Sequence, residues 1–523
     1  MDERLSTNEA AKFLGVSTST LYRMEKQGLI EPIRTPGGQR RFLKEQLEAY
    51  LAQSKSIKAP QNPSQYKAAN KVLPKIQEHR GLFEATLFDT PLSPVAAKHK
   101  VKDIVAYARR DFQRDYAFDE GVKGWLCEWE FRRSNTKTYT HGVHTYPAMF
   151  IPQIARKLIV EFSETGDTIA DIFCGSGTAL VESKLLERHA IGIELNPLAV
   201  LIAKVKTTPI DPQRLTQAYQ QVLDTHAAHP FVPVSFPPSS HMDFWFSPQA
   251  IGELNALKQA ILSLPDRDLI DFFFVAFSEI ARKASFTKNG EYKLVRDKGK
   301  VANGVDMNIL TAFNEVAQNN IVAMKDFWLD ATDAQVRIIQ GDSTQDLGIP
   351  EESVDLILTS PPYGDSRTTV AYGQFSRLSA QWLDLLPNGK KDIDSNLLGG
   401  NGNAALEDPI VNQSDTLRQA VSLIAERDEQ RAREVVSFYR DLRKALERAS
   451  HILKRSRYFI VVVGNRTVKE INLKTDLIIS ELCESFGFTT HAILFRGIPN
   501  KRMPMENCPT NVAGVKGKTM HKE

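Results

Sequence analysis

The chain has 523 residues, 42% of them hydrophobic and 25% charged, with a net charge of only +3. That length suits roughly two to four globular domains. The near-neutral balance excludes a uniformly basic nucleic-acid coat, so any contact with nucleic acid must come from local patches. The strongest apolar run, Phe272 to Phe277, falls far short of the ~18 residues a membrane span needs. The start, Met1-Asp2-Glu3-Arg4, lacks the basic-then-apolar pattern of a signal peptide, and a cytoplasmic location is expected. The four cysteines, Cys127, Cys174, Cys483 and Cys508, are isolated. Their spacing argues against a zinc site or a disulfide framework, and no metal is expected.

In chain order, residues 6–14 predict a short helix capped by Ser6 or Thr7, and Gly15-Val16 a turn. Ser17 caps a second helix, Thr18 to Gln27, which Gly28 ends. Two short helices around a glycine turn make a helix-turn-helix. Ile33 to Phe42 follows as a hairpin with a Pro-Gly-Gly tip and a basic returning strand, a wing, and Lys44–Leu51 as a further helix. Residues 1–53 hold eight Lys/Arg against seven Asp/Glu, so positive charge is focused on the wing rather than spread. Leu21-Tyr22-Arg23 and Gly37-Gly38-Gln39-Arg40-Arg41-Phe42 closely resemble the MerR/excisionase winged helix-turn-helix. The resemblance implies that the second helix enters a major groove of double-stranded DNA, with Thr18, Ser19, Thr20 and Arg23 as contact residues. Arg34, Arg40 and Arg41 of the wing would touch phosphate or minor groove. Residues 54–70 are polar with two prolines and read as a linker.

Thr168-Ile169-Ala170-Asp171-Ile172-Phe173 has the pattern of a buried strand. Cys174-Gly175-Ser176-Gly177-Thr178 makes a small-residue turn, and Ala179–Arg188 a helix. A glycine turn between strand and helix lets backbone approach a ligand closely. A second strand, Ala190 to Ile193, ends in Glu194, whose carboxylate can accept hydrogen bonds from ribose hydroxyls. Leu180 stands near where a dinucleotide fingerprint has its third glycine. That disfavours a pyrophosphate-bearing cofactor. Cys174 could be a nucleophile, but small buried cysteines are usually inert.

Thr359-Ser360-Pro361-Pro362-Tyr363 follows the apolar run Val354–Leu358. Two prolines have no N–H and cannot continue a central strand. They can hold backbone carbonyls and the aromatic face of Tyr363 rigidly past the strand's carboxyl end, where open α/β sheets bind ligands. A planar base carrying an exocyclic amine suits such a site; a proline-stiffened loop beside a core tyrosine is the structural alternative.

Together these segments resemble the S-adenosylmethionine-dependent amino-methyltransferases of DNA, over roughly residues 140–210 and 335–505. Asp171–Thr178 matches the family's cofactor loop, Glu194-Leu195-Asn196-Pro197 its ribose-binding acid, and Thr359–Tyr363 its catalytic motif. His144 to Pro152 looks like the motif that cradles the methionine end, and Gly341-Asp342 sits where the family contacts adenine. The resemblance implies an α/β fold, a Rossmann-like methyltransferase sheet of seven mixed strands. Tyr458–Val463 and a last strand near His491–Phe495 would complete that sheet. A helical insertion and the small N-terminal winged helix-turn-helix would accompany it. The implied cofactor is S-adenosyl-L-methionine, with Thr145, Phe150, Asp171, Phe173, Gly175, Gly177, Thr178, Glu194 and Asp342 as its binding residues. Ser360, Pro361, Pro362 and Tyr363 are the expected catalytic group. They would bind the amine of a flipped base and stabilise charge growing on its nitrogen.

A serine before Pro-Pro is typical of the family's cytosine-N4 enzymes, and aspartate or asparagine of its adenine-N6 enzymes. Cytosine N4 is therefore expected, with adenine N6 the alternative. Pro361-Pro362-Tyr363-Gly364 after Glu194-Leu195-Asn196-Pro197 also resembles guanine-N2 methylases of RNA, a reading the DNA-binding module disfavours, and a catalytically dead, S-adenosylmethionine-sensing transcription factor is a further alternative. A cognate restriction endonuclease is the expected biological partner. The organisation read from sequence is a DNA-binding module (1–53), a linker (54–80) and a first catalytic part (81–210). A mainly helical insertion (211–335) and a second catalytic part (336–523) follow. The insertion reads either as a target-recognition element, for which the basic and aromatic stretch Arg282–Lys293 is the candidate, or as a lid. Residues 388–415, rich in Gly, Asn and Asp, are expected to be a mobile loop, and the basic tail around Arg496, Lys501 and Arg502 to follow phosphates or remain a solvated end.

Overall fold

A computed structural model of the protein describes residues 4–6, 10, 13, 32–34, 40–44, 46–47, 131, 134–288, 290–365, 369–386, 393–400 and 402–494. The chain separates into two compact units, 1–97 and 98–523.

In the first unit, β1 (Arg4–Ser6), β2 (Ile33–Arg34) and β3 (Arg40–Leu43) form an antiparallel sheet of order β1-β3-β2. The wing hairpin is present, with Ile33 opposite Arg41 and Arg34 opposite Arg40. Strand β1 takes in Ser6, a residue expected to open or cap the first helix, and pairs Arg4 with Leu43 and Ser6 with Arg41. Among the described residues of this unit, Ala10, Phe42 and Leu47 are fully buried. Thr18, Ser19, Thr20 and Arg23 lie outside the described residues.

The second unit is built on a five-stranded sheet, order β6-β5-β4-β7-β8, parallel throughout. Its strands are β4 (Thr168–Asp171), β5 (His189–Glu194), β6 (Val336–Gln340), β7 (Val354–Thr359) and β8 (Leu453–Val461). Strand β7 is buried from end to end, as a central parallel strand covered on both faces must be. Helix α1 (Pro152–Phe162) and α2 (Thr178–Leu185) cover one face, packing Ile154, Leu158 and Ala179 on Ile169, Leu356 and Leu358. From the other face, Ala449 and Ile452, at the end of a long helix (Glu429–Ile452), pack on Ala170 and Ile357.

Helix α3 (Pro197–Thr207) returns from β5, and before β6 come the longer helices α4 (Pro212–Ala228), α5 (Pro248–Leu262), α6 (Arg267–Ala284) and α7 (Ile309–Asp330), with short ones at Met242–Trp245 and Lys298–Asn303. Their starts carry the expected capping chemistry: Asn196, Asp211 and Ser247 each accept a first-turn N–H and are each followed by proline. The insertion is not detached from the catalytic core. Phe272, Phe273 and Phe277 of α6 share one apolar cluster with Leu198 and Ile202 of α3 and with Phe375 and Trp382 of α8 (Tyr372–Trp382).

Two expectations fail here. Residues His491–Leu494 form no strand; His491 packs its ring against Tyr458 (centroids 6.2 Å apart), but no ladder bonds join the segment to β8. Among the described residues the sheet is therefore five-stranded and wholly parallel rather than seven-stranded and mixed. The expected mobile loop is also largely packed: Leu398, Ala404, Ile410 and Val411 are buried against α9 (Asp415–Ala425) and α10 (Glu429–Ile452). Gly399 serves a tight turn there: it takes φ +70° and its N–H donates to Asp441 Oδ2 at 3.0 Å. The basic tail beyond Leu494 lies outside the described residues. No helix among the described residues is long and apolar enough to cross a membrane.

Candidate active site

The chain runs β4, β5, β6 outward to one edge, then returns to lay β7 on the other side of β4. This reversal opens a crevice at the carboxyl ends of the strands, the usual ligand position in such sheets. Each of four strands delivers a polar residue there: Asp171 ends β4, Glu194 ends β5, Asp342 follows β6 and Ser360 follows β7. All four line one cleft of about 880 Å³, partly open to solvent.

On the cofactor-loop side, Gly175 has φ +51°, and a side chain there would project into open space, meeting only Tyr146 at 4.0 Å. Its N–H donates to Glu194 Oε2 at 2.9 Å, and Asn196 N–H donates to Glu194 Oε1 at 2.7 Å. Each oxygen thus keeps accepting capacity for a ligand. Burial pushes Glu194 up to about 7, although these two N–H donors work the other way. Asp171 is also raised, to about 6, by burial, against hydrogen bonds from Thr359 Oγ1 (2.6 Å) and Phe173 N–H (3.1 Å). The Thr359 bond ties the cofactor loop directly to the strand that carries Ser360. Phe150, Phe173, Thr178, Gly341 and Ser343 complete this half of the wall.

Two expected cofactor residues are placed elsewhere. Thr145 is exposed, with its hydroxyl 3.4 Å from Glu279, and does not line the cleft. Gly177, at φ +81°, packs against α3; a Cβ would fall 2.9 Å from that of Ala203. Its absence of side chain serves helix packing rather than contact with the cleft. Burial raises the Cys174 thiol well above its usual range, so it stays protonated and inert.

On the other side, Ser360 Oγ donates to the Val462 carbonyl at 3.0 Å and lies 3.4 Å from Tyr363 Oη. Pro362 lines the cleft; Pro361 is buried behind it. The Tyr363 ring packs over Gly464, where a Cβ would come within 3.1 Å of it.

Further residues outside the expected site set shape the cleft. Tyr146 and Tyr372 form an aromatic pair, centroids 6.0 Å apart and 23° from parallel. Asn196 joins them: its amide nitrogen lies within hydrogen-bond reach of Ser376 Oγ (2.7 Å), Tyr146 Oη (3.1 Å) and the Tyr372 carbonyl (3.3 Å), which share its two hydrogens. Asn396, Leu397 and Leu398 close the cleft from the segment expected to be mobile. Asp394 anchors that segment by accepting the Gly373 and Gln374 N–H groups at 2.9 and 3.0 Å. The basic and aromatic stretch is partly consumed internally. Arg282 sits 4.6 Å above the Phe375 ring and donates to the carbonyls of Phe375 and Glu291. Tyr292 remains half exposed, its ring edge-on to Phe375, which in turn touches Tyr146. This part of the insertion is therefore a neighbour of the cleft.

The cleft suits S-adenosylmethionine on chemical grounds: an acid with spare accepting capacity for a ribose, a glycine turn left open by the missing Cβ, and aromatic walls. Residues 4–55 match the family described as Helix-turn-helix domain. The chain is similar to the type II methyltransferase M.MvaI of Kocuria varians, 38% identical over 421 residues, covering 75% of this chain and 91% of that protein. It is also similar to the type II methyltransferase M.MjaII of Methanocaldococcus jannaschii, 32% identical over 124 residues, 23% of either chain. A solved structure, the rRNA methyltransferase aviRa from Streptomyces viridochromogenes, aligns at 11% identity and a TM-score of 0.25, covering 65% of this chain and 91% of that one; so loose an overlap carries no argument. The chain belongs to the type II methyltransferases: it is an S-adenosylmethionine-dependent DNA methyltransferase with a helix-turn-helix domain at its N-terminus.

Proposed function

We propose that the target atom is the exocyclic N4 of a cytosine rotated out of the duplex. The observation that carries this reading is the state of Ser360. Its hydroxyl proton is given to the Val462 carbonyl, so toward the cleft the oxygen is an acceptor and nothing more. It is a neutral hydroxyl acceptor, where the family's adenine enzymes typically place an aspartate carboxylate or an asparagine amide.

The amine of a base is a poor nucleophile, because its lone pair is delocalised into the ring. Ser360 Oγ and the Pro361 carbonyl accept the two amine hydrogens and favour the tetrahedral nitrogen over the planar one. The same dipoles stabilise positive charge growing on that nitrogen, an interaction stronger in the transition state than in the ground state. Tyr363, backed by Gly464, stacks on the base, and Pro362 fixes the loop. When bound, the cofactor supplies an electrophilic methyl group on its sulfonium. Glu194 holds the ribose, Asp342 the adenine edge, and Phe150, Phe173, Gly175 and Thr178 shape the rest of the pocket. Asp171 acts by locking the loop to Thr359, and Gly177 by seating the loop on α3. Thr145 has no part in this reading.

The insertion at residues 211–335 supplies target recognition through the loop around Tyr292, which borders the cleft. Thr18, Ser19, Thr20 and Arg23 read the major groove and Arg34, Arg40 and Arg41 hold phosphates, either at methylation sites or at the enzyme's own promoter. A restriction endonuclease of the same specificity is the partner that such an enzyme protects against. The test is nucleoside mass spectrometry of duplex DNA after incubation with the protein and labelled cofactor. N4-methylcytosine is expected; N6-methyladenine would overturn the choice of base. Bound cofactor with no labelled DNA would favour the sensor.

A further inference from the structure

Helix α3 carries two lysines with opposite fates. Lys204 is half exposed and bonds Asp271 at 2.9 Å and Asp268 at 3.1 Å. Lys206 is completely buried. Its Nζ donates to Ser176 Oγ at 3.2 Å and meets Met149 Sδ at 4.0 Å, and no carboxylate reaches it. Burying an ammonium without a counter-ion is costly, and proteins tolerate it where the group stays neutral or where a charge arrives later. Both partners of Lys206 line the cofactor cleft.

We propose that Lys206, acting through the Ser176 hydroxyl, positions the carboxylate at the methionine end of S-adenosylmethionine. The Nζ fixes one side of Ser176 Oγ and turns its O–H toward the cleft, where the carboxylate accepts it. The carboxylate then provides the negative charge that the protein withholds from Lys206. The surroundings fit this division. His141, from the short turn that packs on α3, is bonded to Glu182 (2.8 Å), and Arg156 of α1 occupies the other Glu182 oxygen (2.6 Å). Glu182 of α2 is thereby committed. His144 is buried with neither ring nitrogen bonded, and burial takes it down to about 4, so it contributes no charge. Glu279 of α6 pairs with Lys283 at 3.1 Å. With no anion at hand, burial lowers Lys206 to about 7. Arrival of the carboxylate brings a proton onto its Nζ, which couples cofactor binding to pH.

The test compares S-adenosylhomocysteine, which carries the carboxylate, with 5′-methylthioadenosine, which lacks the amino-acid end. Both are titrated calorimetrically into the full-length protein at pH 8, in two buffers of different ionisation heat. The wild type should take up close to one proton with the first ligand and none with the second. Lys206→Met should weaken S-adenosylhomocysteine at least tenfold, leave 5′-methylthioadenosine within about twofold, and abolish the uptake. Ser176→Ala should do the same to affinity, and the double variant should be no worse than either single one. Equal weakening of both ligands by Lys206→Met would assign the lysine to packing and overturn the proposal. So would additive effects in the double variant. If Lys206→Met does not fold, the wild-type comparison alone decides: equal proton uptake with the two ligands overturns it.

Discussion

The two ends of the central sheet are finished differently. At the amino end, Asp355 of β7 is buried, and burial alone would raise it. Lys454 Nζ (2.8 Å), the Thr168 N–H (3.1 Å) and Arg457 (3.2 Å) nonetheless hold it below the usual carboxylate range. At the carboxyl end, Asp171 is buried and Glu194 half-buried; among the described residues neither has a cationic partner, and they are held up to about 6 and 7. Lys206 is the mirror case, a buried cation without an anion. The same strands thus have one end whose charges are complete within the protein and another whose charges await a ligand. Uncompensated groups in a cleft are what a binding site requires and what a purely structural region avoids.

That contrast can be broken by substitution. The largest functional effect is expected at Ser360. Ser360→Ala removes the acceptor for the amine and should lower kcat about a hundredfold, the scale seen when one transition-state hydrogen-bonding group is removed. Its unfolding free energy should stay within about 1 kcal/mol of wild type, read from denaturant melts. At the opposite end Lys454→Met should do the reverse. It leaves Asp355 short of a partner and should cost about 1–2 kcal/mol of stability, discounted because the lysine is partly exposed. Turnover at a temperature well below the melt should change less than twofold. Glu194→Gln sharpens the comparison through pH. In the free wild type Glu194 binds its proton more tightly when folded, so its favourable contribution is full below about 4.5 and is lost as pH rises to about 7. The variant lacks this loss. Its stability relative to wild type should climb by about 1 kcal/mol between those pH values and stay flat above, since the acid's open face moderates the shift. The smallest effect is expected from Gly464→Ala, which presses on the Tyr363 ring and should raise KM for DNA a few-fold with kcat nearly unchanged.

The parts of this site that were legible in the sequence are those where backbone chemistry forces a residue type. The loop Asp171–Thr178 needs glycines, the end of β5 shows its acid, and Ser360–Tyr363 cannot be a strand. The mixed seven-stranded sheet was not borne out among the described residues: the expected last strand near His491–Phe495 carries no signal that separates ladder pairing from side-chain packing, and its described part, His491–Leu494, forms no strand. Asn396, Leu397 and Leu398 were hidden in a segment whose glycines imitate disorder while serving turns. Tyr146 and Tyr372 stack directly and are tied together by Asn196, whose bond to Tyr372 spans 176 residues that no local spacing encodes. Lys206 did leave a trace. Ala199, Ile202 and Ala203 are fully buried on one stripe of α3, and position 206 is the next place on that stripe. A lysine in an apolar stripe marks either a mispacked helix or a charge with a purpose.

The claim that one end of the sheet is complete and the other waits for its ligand is tested most directly by the thermal shift that saturating S-adenosylmethionine gives at pH 8. Wild type, Lys454→Met and Glu194→Gln are compared in the same buffer. Lys454→Met should melt lower than wild type without cofactor yet gain the same increment with it. Glu194→Gln should gain little or nothing. A full increment in Glu194→Gln, or a lost one in Lys454→Met, would contradict the account.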